Sequence, residues 1–146
     1  MATNMFKKYT EAKTRAWVVP VGTVSGALVL QANSGRVGVT LTARGDTTKS
    51  HTLPDGSIVT GINIGGVGNK PNTATVAVDG SWLFAVAGVA NGDTTGAAAV
   101  ATPAGTKVYR TPAGALNLTA TSNTLVGLVD DGFIVGGVVP ILIGAV

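Results

Sequence analysis

The sequence lacks cysteine and is poor in charged, histidine and aromatic residues. Of its 146 residues, 12% are charged, 5% are aromatic and one is His. The absence of Cys excludes disulfide scaffolds and thiolate metal sites. The abundant residues are Gly, Val and Thr, with 21, 21 and 20 copies. Because Val and Thr favour strands and Gly interrupts helices, a helical bundle is excluded as the main architecture.

Short β-prone runs separated by turn residues follow one another along most of the chain. Two of them, at 36–42 and 73–78, alternate in the way that half-buried strands do. The ten predicted strands are 17–21, 27–30, 36–42, 57–64, 73–78, 82–86, 107–109, 116–120, 126–129 and 138–143. The only helix expected within the body is a short one near 96–101. This pattern favours a mainly β fold, a small β-barrel or sandwich with an extended N-terminal arm.

Basic residues are concentrated at the N-terminus. Residues 1–16 contain four Lys and Arg against one Glu, whereas the rest of the chain contains six against six acidic residues. We therefore predict a basic N-terminal arm over 1–16 and a single β domain over 17–146, with an insertion loop near 50–72. Such an arm is suited to meeting an acidic protein surface. The alternative is a disordered tail that only increases solubility.

Neither a membrane nor a nucleic acid is an expected partner. Residues 132–146 are uncharged, but a membrane-spanning helix needs about 20 apolar residues. Gly136-Gly137 in this stretch predicts a tight turn between two buried strands. Since four cations on one arm offer few phosphate contacts, nucleic-acid binding is not expected. The chain is therefore interpreted as soluble.

Patterns that could support catalysis or metal binding are weak. His51 lies within six residues of Ser50 and Asp55 on one predicted loop, whereas the members of a catalytic triad usually come from separate elements. Asp130-Asp131, followed by Gly, is typical of a turn. We therefore expect a protein that is not an enzyme, with no catalytic residues, no cofactor and no metal site.

Two other motifs also favour ordinary turns. Residues 65–70 resemble a phosphate-binding loop, but they lack Gly-Lys-Ser/Thr and no helix pattern follows them. A glycine-rich hairpin tip is the simpler interpretation. Arg44-Gly45-Asp46 has the letters of the adhesion tripeptide, yet three letters match often by chance and Gly-Asp is a common turn.

The strand runs resemble those of a known family. Residues 25–30 (SGALVL) and 36–40 (RVGVT) are similar to its opening hairpin, and 74–84 (ATVAVDGSWLF) to its central strand. Residues 105–109 (GTKVY), 114–116 (GAL) and 123–127 (NTLVG) resemble the closing half of that family. Residues 138–143 (VVPILI) are similar to its last strand. On these motifs the chain resembles the tailed-bacteriophage capsid decoration (capsid cement, head-stabilising) proteins, formerly labelled predicted phage recombinase of unknown function. The resemblance covers roughly 24–144, and neither the 50–72 loop nor the basic arm is typical of the family.

The resemblance implies a structural virion protein on the outer capsid surface, made in the host bacterial cytoplasm. It would stabilise the head by bridging major capsid protein subunits as a homo-oligomer, a trimer. The alternative is another virion surface β-module, such as a head fibre base or a receptor-binding module. Removing residues 1–16 is expected to weaken attachment and leave the β domain folded. The candidate capsid-binding residues are Lys7, Lys8, Lys13, Arg15 and Trp17.

Overall fold

The computed structural model describes residues 5–7, 13–45, 50–60, 70–89, 102–130 and 137–144. Within these ranges the chain forms twelve strands and no helix, so the predicted mainly β fold is confirmed. The strands are β1 Met5–Lys7, β2 Thr14–Val18, β3 Leu28–Leu30, β4 Val37–Thr40, β5 Ser50–Thr52, β6 Ile58–Thr60, β7 Thr73–Ala77, β8 Gly80–Ala85, β9 Lys107–Arg110, β10 Leu116–Asn117, β11 Thr124–Val129 and β12 Val138–Ile143.

The chain divides into two compact units, each with sheets of its own. The first unit comprises Met1–Thr3 and Lys13–Val78, and the second comprises Asn4–Ala12 and Asp79–Val146. The division between β7 and β8 therefore falls inside the span that the sequence analysis treats as one domain. The boundary predicted after residue 16 falls within β2, because β2 already begins at Thr14.

The main sheet of the first unit is antiparallel, in the order β2-β7-β4-β3. Strand β2 pairs with β7 along its whole length, from Thr14 opposite Ala77 to Val18 opposite Thr73. One face of the sheet carries a buried apolar cluster, as the alternating sequence predicts. The cluster contains Trp17, Val19, Val29, Ala74 and Val76, with Val78 packed against it.

Gly38 in β4 makes room for this cluster. A Cβ at this position would overlap the Cγ1 atom of Val76 and would lie 3.0 Å from the Trp17 ring. It would also lie 2.9 Å from the carbonyl oxygen of Ala77. Glycine is disfavoured within strands, so its presence here reflects the close approach of neighbouring groups.

The first unit also contains a separate two-stranded sheet, formed by β5 and β6. This β5–β6 hairpin lies within the loop predicted near 50–72, and residues 61–69 of that loop lie outside the described residues. Described side chains from residue 52 to residue 59 are all exposed. The hairpin therefore projects from the unit and contributes little to its core.

The sheet of the second unit has the order β1-β8-β12-β11-β9-β10 and is antiparallel throughout. Strand β12 pairs with β8 on one side and β11 on the other, which buries Val139, Ile141 and Ile143 almost completely. Beyond β8, Ala87 forms a bridge with Asn117 of β10. This bridge draws the two flanks of the sheet toward each other, so the sheet curls like a barrel.

All ten predicted strands overlap an observed strand, and two observed strands were missed. The prediction for 138–143 coincides with β12. The missed strands are β1 and β5, which have three residues each and so carry little periodic signal. The short helix expected at 96–101 lies outside the described residues, as do residues 131–136, which lead into the tight turn predicted at Gly136-Gly137.

Candidate functional site

The candidate binding residues occupy different environments. Lys8 lies outside the described residues, and Lys7 ends β1 in the second unit. Lys13 and Arg15 are exposed on or just before β2 in the first unit, as a solvent-facing basic surface requires. Trp17, on the same strand, is only 5% exposed and belongs to the apolar cluster, so its side chain offers little surface to a partner.

The N-terminal segment is extended where it is described, and it is paired. Met5–Lys7 forms an edge strand against β8, and residues 14–16 pair with β7. Removing residues 1–16 would delete β1 and most of β2, including the ladder that carries Trp17 into the core. The expectation that the β domain stays folded after this deletion conflicts with that pairing. Single substitutions are therefore the appropriate way to test attachment.

Formal charge is unequally divided between the two units. The first unit contains six Lys and Arg against two Asp, a formal charge of +4. The second contains four Lys and Arg against four Asp and one Glu, a formal charge of −1. The excess positive charge of the chain therefore belongs to the first unit as a whole rather than to an N-terminal arm.

Exposed apolar side chains are concentrated in the same unit. Among the described residues, every large apolar side chain that is prominently exposed lies in the first unit. Val18, Val21 and Val24 are 74%, 85% and 63% exposed and lie within one segment, residues 18–24, here called the valine loop. The other three, on the β5–β6 hairpin, are Leu53, Ile58 and Val59. The three valines of this short segment are therefore a candidate interaction site, because exposed apolar patches on a small protein often mark such sites.

Thr40 fastens the C-terminal end of the valine loop. Its side chain is fully buried, and its Oγ1 donates to the carbonyl oxygen of Val24 at 2.6 Å. The same Oγ1 accepts a hydrogen bond from the backbone N–H of Ala27 at 2.9 Å. Ser25 adds a third tie, since its hydroxyl donates to the carbonyl oxygen of Leu41 at 2.9 Å. The chain around Val24 is therefore held to β4 by side chains as well as by backbone.

Arg44 fastens the other end of the valine loop. Its Nε donates to the carbonyl oxygen of Val19 at 3.0 Å, and its Nη2 donates to Oδ1 of Asn72 at 2.6 Å. Its backbone N–H donates to the carbonyl oxygen of Thr23 at 3.0 Å. Arg44 thus joins the loop to the turn that precedes β7. A loop held in this way loses little conformational entropy when it binds a partner.

This geometry gives Arg44 a structural role within the Arg44-Gly45-Asp46 tripeptide. The guanidinium donates inward, to groups of its own unit, and Gly45 is buried with its N–H bonded to the carbonyl oxygen of Thr73 at 2.9 Å. Asp46 lies outside the described residues. Arg44 therefore stabilises the valine loop, and Gly45 is buried against the turn that precedes β7 rather than presented to a receptor.

The turn of the β5–β6 hairpin is organised by Asp55. Its Oδ1 accepts hydrogen bonds from the Ser57 hydroxyl at 2.6 Å and the Ser57 backbone N–H at 2.9 Å. The Ser57 hydroxyl and backbone N–H bonds lower the pKa of the Asp55 carboxyl, because they stabilise its charged form. Asp55, which the sequence analysis considers beside His51, therefore serves as a turn residue.

Other motifs from the sequence analysis fall partly outside the described residues. Residues 65–69 and Asp131 lie outside them. In the part of the chain that the structure describes, no group of three or more His, Asp or Glu side chains is placed to hold a metal ion. That part also contains no helix with the length and apolar character needed to cross a membrane.

Comparison with known proteins adds no relative to these observations. No protein-family model, no curated protein and no solved structure matches the chain. The resemblance to capsid decoration proteins therefore stays a prediction from the strand motifs.

Proposed function

We propose that this protein is a structural virion protein that binds the outer surface of a phage head and stabilises the capsid by bridging major capsid protein subunits. The valine loop is the observation that carries the proposal. It presents Val18, Val21 and Val24 to solvent while Thr40 and Arg44 hold its backbone. A preorganised apolar surface on a unit of charge +4 suits a partner with an acidic, partly apolar protein surface.

Stabilisation of a shell requires binding energy and no chemical step. A protein that binds the assembled shell more tightly than its free subunits shifts the equilibrium toward the assembled state. Each contact can be weak, because many copies occupy one lattice and a homotrimer would engage several subunits at once. The strand motifs that resemble the capsid decoration family support this role, as does the mainly β fold.

Mixing the purified protein with expanded heads that lack it tests the proposal. We expect saturable binding with a fixed number of copies per head. Val21→Asp should weaken binding about tenfold or more, since it places a charge in an apolar contact worth at least ~1.4 kcal/mol. Because Val21 is 85% exposed, this variant should fold normally.

Ala113→Asp provides the matched control. Ala113 is an exposed loop residue of the second unit, so this variant adds the same charge to the unit that lacks the valine loop. We expect its head binding to equal that of the unmodified protein. Absence of saturable binding, or equal losses in the two variants, would contradict the proposal.

A further inference from the structure

The first unit has an open sheet edge at β2. This strand is the first in the order β2-β7-β4-β3, so among the described strands it has a neighbour on one side only. The carbonyl oxygen of Lys13 accepts from the N–H of Val78 at 2.9 Å, and the N–H of Val19 donates to the carbonyl oxygen of Asn72 at 3.1 Å. Along an antiparallel strand, successive residues direct their backbone N–H and C=O groups to opposite sides. In β2 the backbone groups of odd-numbered residues therefore point toward β7, and those of even-numbered residues point away from it.

The residues of β2 whose backbone groups point away from β7 are Thr14, Ala16 and Val18. The carbonyl oxygen of Thr14 accepts from Nη1 of Arg15 at 3.2 Å. Within the described residues, no strand pairs with the outer edge of β2, where the backbone groups of Ala16 and Val18 lie. Such an edge is a template for an added strand, because its donors and acceptors are already aligned. The valine loop follows directly and extends this edge with apolar surface.

We propose that the outer edge of β2 accepts an extended segment of the partner protein as an added strand, and that this segment carries a carboxylate. Arg15 supplies the charge complementarity. It is exposed, and no described carboxylate pairs with it. In the described part of the first unit the single acidic residue, Asp55, is bonded to Ser57 in the hairpin turn. An incoming acidic side chain therefore meets a guanidinium that donates to the carbonyl oxygen of Thr14 and that no described carboxylate neutralises.

The pleat of β2 specifies the spacing of the segment. Arg15 and Val18 are three residues apart, so their side chains lie on opposite faces of the sheet. Residues paired across two strands share a face. A segment that places a carboxylate opposite Arg15 and an apolar side chain opposite Val18 must therefore carry them three positions apart. An apolar side chain opposite Val18 would cover a valine that is 74% exposed.

The inference deepens the proposed function, since it rests on that proposal for the identity of the partner as a capsid subunit. The edge itself can be tested apart from the capsid with a capped peptide of about eight residues, roughly one strand long. The peptide would contain alternating Thr and Val with an Asp three positions from an Ile. Added to the full-length ¹⁵N-labelled protein, it should shift the amide resonances of Ala16 and Val18 and slow their hydrogen exchange.

Three variants separate this edge from other surfaces. Ala16→Pro removes an outward-facing N–H without removing a ladder bond, and it should abolish the shifts. Arg15→Glu should reverse the charge preference, so that a peptide with Lys in place of Asp binds about tenfold better than the Asp peptide. Arg36→Glu makes the same charge change at another exposed arginine of the unit and should leave the preference unchanged.

The outcomes distinguish the edge from the proposed function. Equal binding of the Asp and Lys peptides, or shifts confined to other strands, would overturn the inference. Self-association that Ala16→Pro abolishes would assign the edge to a second copy and overturn the proposed occupant. Heads that bind Ala16→Pro as tightly as the unmodified protein would refute the edge and leave the proposed function standing. Peptide binding at this edge without any head binding would support the edge and refute the proposed function.

Discussion

At the residue scale, two buried hydroxyl groups show that hydrogen-bond partners decide whether a buried polar group stabilises the fold. The Thr40 hydroxyl is buried and makes hydrogen bonds to the backbone of Val24 and Ala27. The Ser81 hydroxyl is buried as well, but it has no hydrogen-bond partner in the part of the chain that the structure describes. A buried hydroxyl stabilises a fold only when its hydrogen bonds are made, so Thr40 is the one that positions the loop.

The variant Thr40→Val tests that role. Valine has nearly the same shape as threonine, but it leaves the N–H of Ala27 and the carbonyl oxygen of Val24 without the hydroxyl. We expect the free energy of unfolding to fall by about 1–3 kcal/mol. Urea denaturation measures this loss, and Thr121→Val, at an exposed threonine, is the control with an expected change near zero. Equal stability of the two variants would remove Thr40 from the loop's support.

At the element scale, the β5–β6 hairpin depends on its turn more than the other strands do. A two-stranded hairpin alone in water is marginally stable, and here Leu53, Ile58 and Val59 are exposed rather than packed. The turn adds stability that packing does not supply, because the Asp55 carboxylate accepts two hydrogen bonds from Ser57. Local order in this element should therefore depend on the ionisation of one side chain.

The pH dependence of the hairpin has a defined sign. The pKa of Asp55 is lowered by the Ser57 bonds, so the folded hairpin favours the ionised carboxylate. The stabilisation is fully present above the ordinary pKa of aspartate and is lost as the pH falls through the lowered value. A carboxyl NMR titration should give a midpoint below the ordinary one, and Ser57→Ala should raise it. Ser34→Ala, in the β3–β4 turn, should leave the midpoint unchanged; a Ser57→Ala midpoint that does not move would contradict this assignment.

At the scale of the whole molecule, the two units differ in surface character. The first has a charge of +4 and carries the prominently exposed apolar side chains among the described residues, and the second has a charge of −1. The strands of the second unit instead bury their apolar side chains within a curled sheet. The first unit therefore combines the positive charge and the exposed apolar side chains that are expected of a binding surface.

The proposed attachment to an acidic head surface should accordingly weaken as salt is added. Screening shortens the range of charge attraction to about 3 Å at 1 M salt, whereas apolar contacts persist. Arg15→Gln combined with Arg36→Gln should flatten the salt dependence, and Lys107→Gln in the second unit should not. Head-binding isotherms at several salt concentrations measure this, and a salt slope unchanged by the double variant would contradict a role for the first unit's charge.

The outcome for individual elements shows what local pattern can predict. Strand β12 is a run of branched apolar residues with a proline, and its bounds were predicted correctly because its short length, its β-branched residues and the flanking glycines favour a strand over a helix. Strand β1 was missed because three residues at the edge of a sheet show no period. Trp17 illustrates a third case, since it was a candidate capsid-binding residue, whereas packing in the apolar cluster of the first unit buries its side chain.

The sequence by itself determined the class of the fold, because the Val, Thr and Gly content and the alternation of apolar residues are properties of neighbouring positions. It also determined the total charge and the absence of thiol chemistry. Only the tertiary structure decided that the positive charge belongs to one compact unit and that Arg44 holds a loop of exposed valines. It also decided that no described strand covers the outer edge of β2. These features depend on pairings between residues far apart in the chain, which no local pattern specifies.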